Sequence, residues 1–486
     1  MNSFAKGMFA AIAAMSVGGI ASAKVRVPPI FSDHMVLQAG QSVAVWGTAD
    51  AGEQVTVDVG GAAKSATASA DGKWAVTLDP LTSGQAVTLT IKGQNTITVH
   101  DALAGEVWLC SGQSNMVLPV DKAADFPAEK AAADWPKIRT FVTTKWVICS
   151  PDTVAKFSAV AYYFGREVHK KLGAPIGLIN RAAGGTPITL WTSKAAQEAV
   201  PALQSILDGS ADAPAAGKDA AQADIDRKQA QEVEGKQAAG AAKHPPGYLF
   251  EDRIVPLMPF TIRGVVWYQG EADSYTAHAN LYATQLSTMI ADWRKQWGSD
   301  FAFVTVQLPE LGKPQTDPVE DSGRAWVRDG VFQSLSLPNT GIAVTLGTGE
   351  AANNHPKNKQ EVGRRLAAWA LANVYGQKDV VGSGPIAQSV RFGNGSATIE
   401  FAEAAGLTSK DGPPKGFAIA GDDGKWHWAD AKIDGATVIV SSDAVKKPTA
   451  VRYGWAGNPA ECNLFNGAGL PASPFRSDGL PTSPKP

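Results

Sequence analysis

Five short apolar runs constrain this chain more than any other feature. Residues 106–110 (EVWLC), 176–180 (IGLIN), 264–268 (GVVWY), 301–306 (FAFVTV) and 341–346 (GIAVTL) each suit one strand and offer no clear polar face. Strands buried on both faces belong to a mostly parallel sheet covered by helices. The intervals supply those helices. Val160, Phe164, Val168 and Leu172 recur at helical spacing, as do Tyr282, Leu286, Met289, Ile290, Trp293 and Trp297, with Gly298 placed as a C-cap. A third such segment, with Val362, Leu366 and Trp369, follows the last run. The expectation is an α/β domain over 104–381.

The flanks read differently. Residues 24–103 alternate at period two between Gly and Asp-Gly turns, notably at 42–46, 54–58, 73–78 and 87–91, which predicts a small β-sandwich segment. Alternation returns at 397–401 and 436–440, so 382–486 is expected to hold a second β segment that could pair with the first, with a poorly ordered Pro-rich end at 481–486. Residues 211–243 are rich in Ala, Lys, Gln and Asp, with Ile225 and Val233 as the larger aliphatics, and bury too little to be core. They read as a surface insertion.

Charge and address narrow the function. The 486 residues carry 44 Lys and Arg against 46 Asp and Glu, a net charge of -2, which is not the basic footprint of a nucleic-acid binder. Lys6, the apolar stretch 7–20 and Ala21-Ser22-Ala23 form a signal-peptide pattern over 1–23, so the protein is expected to be exported, periplasmic or secreted, with a mature start near Lys24. No later run approaches the roughly 18 apolar residues of a spanning helix. Cys110, Cys149 and Cys462 match no zinc spacing and read as buried thiols, a Cys110–Cys149 disulfide being the other option.

The polar residues that follow the runs carry the chemistry. Ser111-Gly112-Gln113-Ser114-Asn115-Met116 begins where the first run ends, and a Ser on a tight turn beyond a parallel strand can present its hydroxyl to a substrate. After the second run, Gly184-Gly185 allows close backbone approach and amide donors for an oxyanion. After the third, Gln269 offers a side-chain amide, while Glu271 and Asp273 invite a glycosidase reading. His355, after the last run, falls on the same sheet edge and reads as a general base, whereas the six other histidines read as ordinary surface or core groups.

Four blocks, 110–116 (CSGQSNM), 184–188 (GGTPI), 267–271 (WYQGE) and 355–359 (HPKNK), resemble the sialate O-acetylesterase family of SGNH hydrolases in content and order. Residues 31–38 and the segments around Asn463-Leu464 and 474–476 are similar to it too, so the resemblance covers most of the chain apart from 211–243. It implies an SGNH-hydrolase-like three-layer α/β/α domain with a parallel sheet and accessory β segments. It also implies a carbohydrate O-acetylesterase that needs neither cofactor nor metal. Ser114 would attack the ester and form an acetyl-enzyme, His355 would take the proton, and the Ser114 and Gly184 amides with the Gln269 side chain would hold the oxyanion. The family's Asp two residues before the His is Asn353 here, so the resemblance points to Asn353 as the group orienting His355, with Glu350 as its rival and a Ser-His pair held by backbone as the third option. The partner that the resemblance implies is an O-acetylated oligosaccharide or polysaccharide. Fourteen tryptophans and a near-neutral charge favour acetylated hemicellulose of xylan or xyloglucan type over acetylated sialic acid. A carbohydrate-binding protein with a decayed esterase site is the alternative of another class.

Overall fold

The computed structural model describes residues 24–208 and 244–480. Residues 1–23, expected to be a signal peptide, the expected insertion 211–243 and the end 481–486 lie outside the described residues.

Strands β1 (Val36–Gln38), β2 (Val43–Thr48), β3 (Gln54–Val59), β4 (Ala62–Thr67), β5 (Lys73–Leu78) and β6 (Ala86–Lys92) build the N-terminal segment. Burial alternates strictly along β5 and nearly so along β2, β3 and β6, so one face of each enters a core and the other meets solvent. The next strand, β7, runs unbroken from Thr96 to Gly112. Its first part pairs with β6 antiparallel and with β1 parallel. From Glu106 it lies between two parallel neighbours, β10 (Ile176–Ala182) and β11 (Gly264–Tyr268), and every residue is buried. One strand thus passes from a half-solvated sheet into a covered one, and the change from alternating to continuous apolar sequence records the crossing. The boundary expected at 103/104 falls inside this strand.

The central sheet has the order β13 (Thr340–Ala343), β12 (Ala302–Val306), β11, β7, β10, β8 (Ile138–Val142), β9 (Lys145–Ile148), all parallel except the β8–β9 hairpin. The hairpin escaped the reading of apolar runs because β8 carries a buried Arg139, whose guanidinium bonds the His34 carbonyl at 3.0 Å and the Asp101 carboxylate at 3.0 Å. The expected strand 341–346 ends at Ala343.

Helix α1 (Ser114–Val117) follows β7, and α2 (Ala159–Leu172), α3 (Tyr282–Trp297), α4 (Gly323–Gln333) and α5 (Lys359–Asn373) cover the sheet. Ser158 caps α2 by accepting from the Ala161 N–H, and Gly298 closes α3 with φ of 70°, as its position predicts. Trp108 on one sheet face packs against Phe164 of α2, and Trp267 on the other packs against Trp293 of α3. These contacts make the three layers.

The expected pairing of the two β segments is not formed. Among the described residues, the strands beyond Ile386 pair only with one another, in two four-stranded sheets and a two-stranded one. The C-terminal unit instead grips the α/β domain through side chains and through backbone bonds such as the Gln315 N–H to the Asn458 carbonyl at 2.9 Å. Buried Arg328 of α4 donates to the Ala456 and Gly457 carbonyls, Arg476 pairs with Asp329 at 3.0 Å, and Gln307 reaches Ser473 at 3.0 Å. No described helix is long and apolar enough to cross a membrane. All three cysteines are free thiols.

Candidate active site

Register brings three loops together. Gly112 at the end of β7 is paired with Ala182 of β10 and with Tyr268 of β11. Ser114, Gly184 and Gln269 therefore stand one or two residues past adjacent strand ends on a single edge, where ligands of open α/β sheets gather. Gly112 has φ of 135°, and a Cβ there would lie 2.0 Å from the Tyr268 carbonyl oxygen. Only glycine lets the chain turn this close to β11 and deliver Ser114 to the start of α1. Among the described residues the Ser114 N–H has no acceptor, as expected of the first amide of a helix.

His355 reaches the same point from beyond β13. Its Nε2 lies 2.8 Å from Ser114 Oγ, within hydrogen-bond reach. Burial, then the charges of Lys359 and Arg324, lower its pKa to about 4, so the imidazole is neutral at pH 7 and able to accept a proton. Among the described residues no group bonds Nδ1.

That last fact corrects the expectation for Asn353. Its Oδ1 accepts from the backbone N–H of His355 at 2.9 Å, and its Nδ2 donates to the His355 carbonyl and to Glu350 Oε2, both at 3.0 Å. The amide brackets the peptide of His355 and does not touch the ring. Glu350, the rival, accepts from Asn353 and from the Lys357 N–H at 2.7 Å, so it braces the loop. An amide two residues before the His curls back onto local backbone, as Asn side chains readily do in turns.

Gln269 also differs from expectation. It is wholly buried, and its Nε2 donates to Asp273 Oδ2, to Gln113 Oε1 at 3.0 Å and to the Thr186 carbonyl at 3.1 Å, while Tyr282 OH donates to its Oε1 at 2.9 Å. Both N–H groups are engaged by protein acceptors, so neither is free to donate to an ester oxyanion. Gly184 lies buried in the turn after β10. Glu271 and Asp273, the glycosidase pair, are buried and bound to different protein donors, Glu271 to Asn115 at 2.5 Å and Asp273 to the Ile188 N–H at 3.1 Å as well as Gln269. Burial lifts the pKa of Asp273 to about 7. Neither carboxylate is exposed.

Asn115 and Lys359 stand inside the sequence motifs without a role there, Arg181 heads the glycine turn after the second run without one, and Arg324 and Arg253 lie outside the motifs. Asn115 Nδ2 donates to the Asn354 carbonyl at 2.9 Å, Lys359 Nζ donates to Asn115 Oδ1, and Arg324 holds Asn354 Oδ1 at 3.1 Å. A cleft of about 530 Å³ opens beside α1, with Val117, Phe141, Ala182, Asp252 and the arginines Arg181 and Arg253 in its walls, and Ser114 and His355 do not line it. Burial and the neighbouring Arg253 hold the Arg181 guanidinium down at about 10, still charged at neutral pH. No signal in the sequence marked those arginines, because they are far apart in the chain. Among the described residues no group of His, Cys, Asp and Glu is arranged to hold a metal ion.

A family model described as carbohydrate esterase, sialic acid-specific acetylesterase matches residues 250–372. The sialate O-acetylesterase of Rattus norvegicus is 29% identical over 93% of this chain and 94% of its own length. The human sialate O-acetylesterase is 28% identical over 93% of this chain and 92% of its own length. The crystal structure of a carbohydrate acetylesterase from Xanthomonas citri superposes with a TM-score of 0.79 at 32% identity, covering 93% of this chain and 99% of that one.

Proposed function

The chain belongs to the sialate O-acetylesterase family of carbohydrate esterases, and we propose that it removes acetyl groups from sugars by Ser114–His355 chemistry. The observation that carries this reading is the 2.8 Å contact between His355 Nε2 and Ser114 Oγ at the edge of a parallel sheet. Neutral His355 takes the hydroxyl proton as Ser114 attacks the acetyl carbonyl. The Ser114 N–H is the first donor to the oxyanion, and Gly184 stands on the same edge. Collapse releases the sugar alcohol, which takes the proton from the imidazolium. His355 then activates the water that frees acetate from the acetyl-enzyme. The reading includes export through the segment 1–23.

The tryptophan argument for neutral hemicellulose loses its basis, since Trp108, Trp191, Trp267 and Trp293 are fully buried and the one strongly exposed tryptophan, Trp428, sits on the C-terminal unit. The cleft beside α1 holds Arg181 and Arg253 against one carboxylate, Asp252, which lies 3.7 Å from Arg253, and this net positive wall supports a sugar that carries a carboxylate, as in O-acetylated sialic acid or a uronate-bearing xylan. Acetate release from acetylated sialic acids, glucuronoxylan, neutral xyloglucan and glucomannan tests both levels. Ser114→Ala should lower release by on the order of 10⁴-fold or more with an unchanged thermal transition. Near-normal turnover in folded Ser114→Ala would remove the mechanism, whereas preference for the neutral glycans would remove only the substrate assignment.

A further inference from the structure

The serine and the histidine come from strands that are not neighbours, because β11 and β12 lie between β7 and β13. Their alignment therefore needs a tie between two loops. One side chain makes it. Asn115, the residue after the nucleophile, donates to the carbonyl of Asn354, the residue before the base, at 2.9 Å. Its second N–H goes to Glu271 Oε1 at 2.5 Å and its Oδ1 accepts from Lys359 Nζ. With the ammonium at its oxygen and a carboxylate at its nitrogen, the amide has one permitted orientation, and that orientation aims an N–H at Asn354.

Lys359 is placed where a lysine is not otherwise expected. It is completely buried, it opens α5, where the helix dipole disfavours a cation, and its pKa is lowered to about 7 by burial. It lies over the Tyr268 ring at 5.2 Å. A stability-driven choice at this position is an apolar side chain. Features that break local rules in this way tend to serve a site.

We propose that Lys359 and Asn115 are positioning residues of the esterase: together with Glu271 they lock the loop of the base onto the loop of the nucleophile. They substitute for the carboxylate that is missing beside the imidazole. The inference rests on the Ser114–His355 reading, and Ser114→Ala tests that reading separately.

The experiment measures kcat and KM for acetate release, and the pH profile of kcat/KM, in Lys359→Met and Asn115→Asp, with circular dichroism as the check on folding. Lys359→Met should lower kcat by on the order of a hundredfold, the cost of a misplacement near 1 Å, while KM stays within about twofold. The charged groups facing His355 are Arg324 from α4 and Lys359 from α5, with Glu271 beyond Asn115 and Glu350 on its own loop. Loss of the Lys359 charge makes the imidazolium easier to form, so the acid limb of the profile should move to higher pH. That shift reports the lost charge, while the fall in kcat at constant KM reports the lost positioning.

Asn115→Asp is isosteric but cannot donate to the Asn354 carbonyl, and it should show the same fall in kcat at constant KM. Full kcat in either folded variant, or a loss confined to KM with an unmoved acid limb, overturns the inference while leaving the Ser-His mechanism standing if Ser114→Ala is inactive. Failure of both variants to fold also overturns it, since the cluster would then hold the domain and not the pair.

Discussion

Ser114 stands two residues beyond the last paired residue of β7, and the strand itself sets its place through ladders to β10 and β11 and the close turn at Gly112. His355 stands well beyond the end of β13 at Ala343, in a loop without regular structure. Side chains hold that loop. Glu310 takes the N–H groups of Gly347 and Gly349, Arg365 takes the carbonyls of Val344 and Leu346, Glu350 and Asn353 brace the turn, and Asn115 and Arg324 hold Asn354. A nucleophile fixed by backbone is sensitive to one added atom at the turn. A base fixed by many side chains should lose alignment in increments.

The most damaging way to break this contrast is Gly112→Ala. The added Cβ meets a carbonyl oxygen that β11 holds in place, and the positive φ is strained for any L side chain. Left-handed backbone costs about 1–2 kcal/mol and overpacking about 1–3 kcal/mol, so the variant should unfold roughly 2–5 kcal/mol more easily and lose most turnover. An unchanged urea midpoint would show that the turn is softer than the strand pairing indicates.

Asn353 sharpens the other side. An amide that set the imidazole tautomer would cost on the order of 10⁴ in kcat when mishandled. Because it brackets backbone, Asn353→Ala should cost only about tenfold, the effect of loosening one brace among several. Asn353→Asp should not restore a triad: it loses both Nδ2 donors and sets a carboxylate against Glu350, so kcat should fall below wild type. An activity gain in Asn353→Asp would show that the side chain swings to the ring during turnover.

The smallest effect expected is that of mild acid. The base form of His355 is required, protonation removes it, and burial with Lys359 and Arg324 depresses its pKa to about 4. The rate should therefore stay level through pH 6 and fall only as pH approaches about 4. A midpoint at the ordinary histidine value of about 6.5 would mean that solvent reaches the imidazole more freely than its burial allows.

Taken alone, the sequence determined the layers and the edge. Apolar runs at 106–110, 176–180 and 264–268 became central parallel strands because only covered strands dispense with a polar face, and the residues just past them had to share an edge. Ser114, Gly184 and Gln269 were legible for that reason, and His355 through the block it opens at 355–359. Tertiary structure decided what each polar side chain does there. Gln269 and Asn353 stand where expected, yet one is engaged by Asp273, Gln113 and Thr186 and the other by the peptide of His355. Lys359, Asn115 and Arg324 acquire their roles only when distant segments meet. Apolar pattern is a local property that periodicity exposes, whereas a hydrogen bond is chosen among the partners folding brings within about 3 Å, and sequence spacing does not contain them.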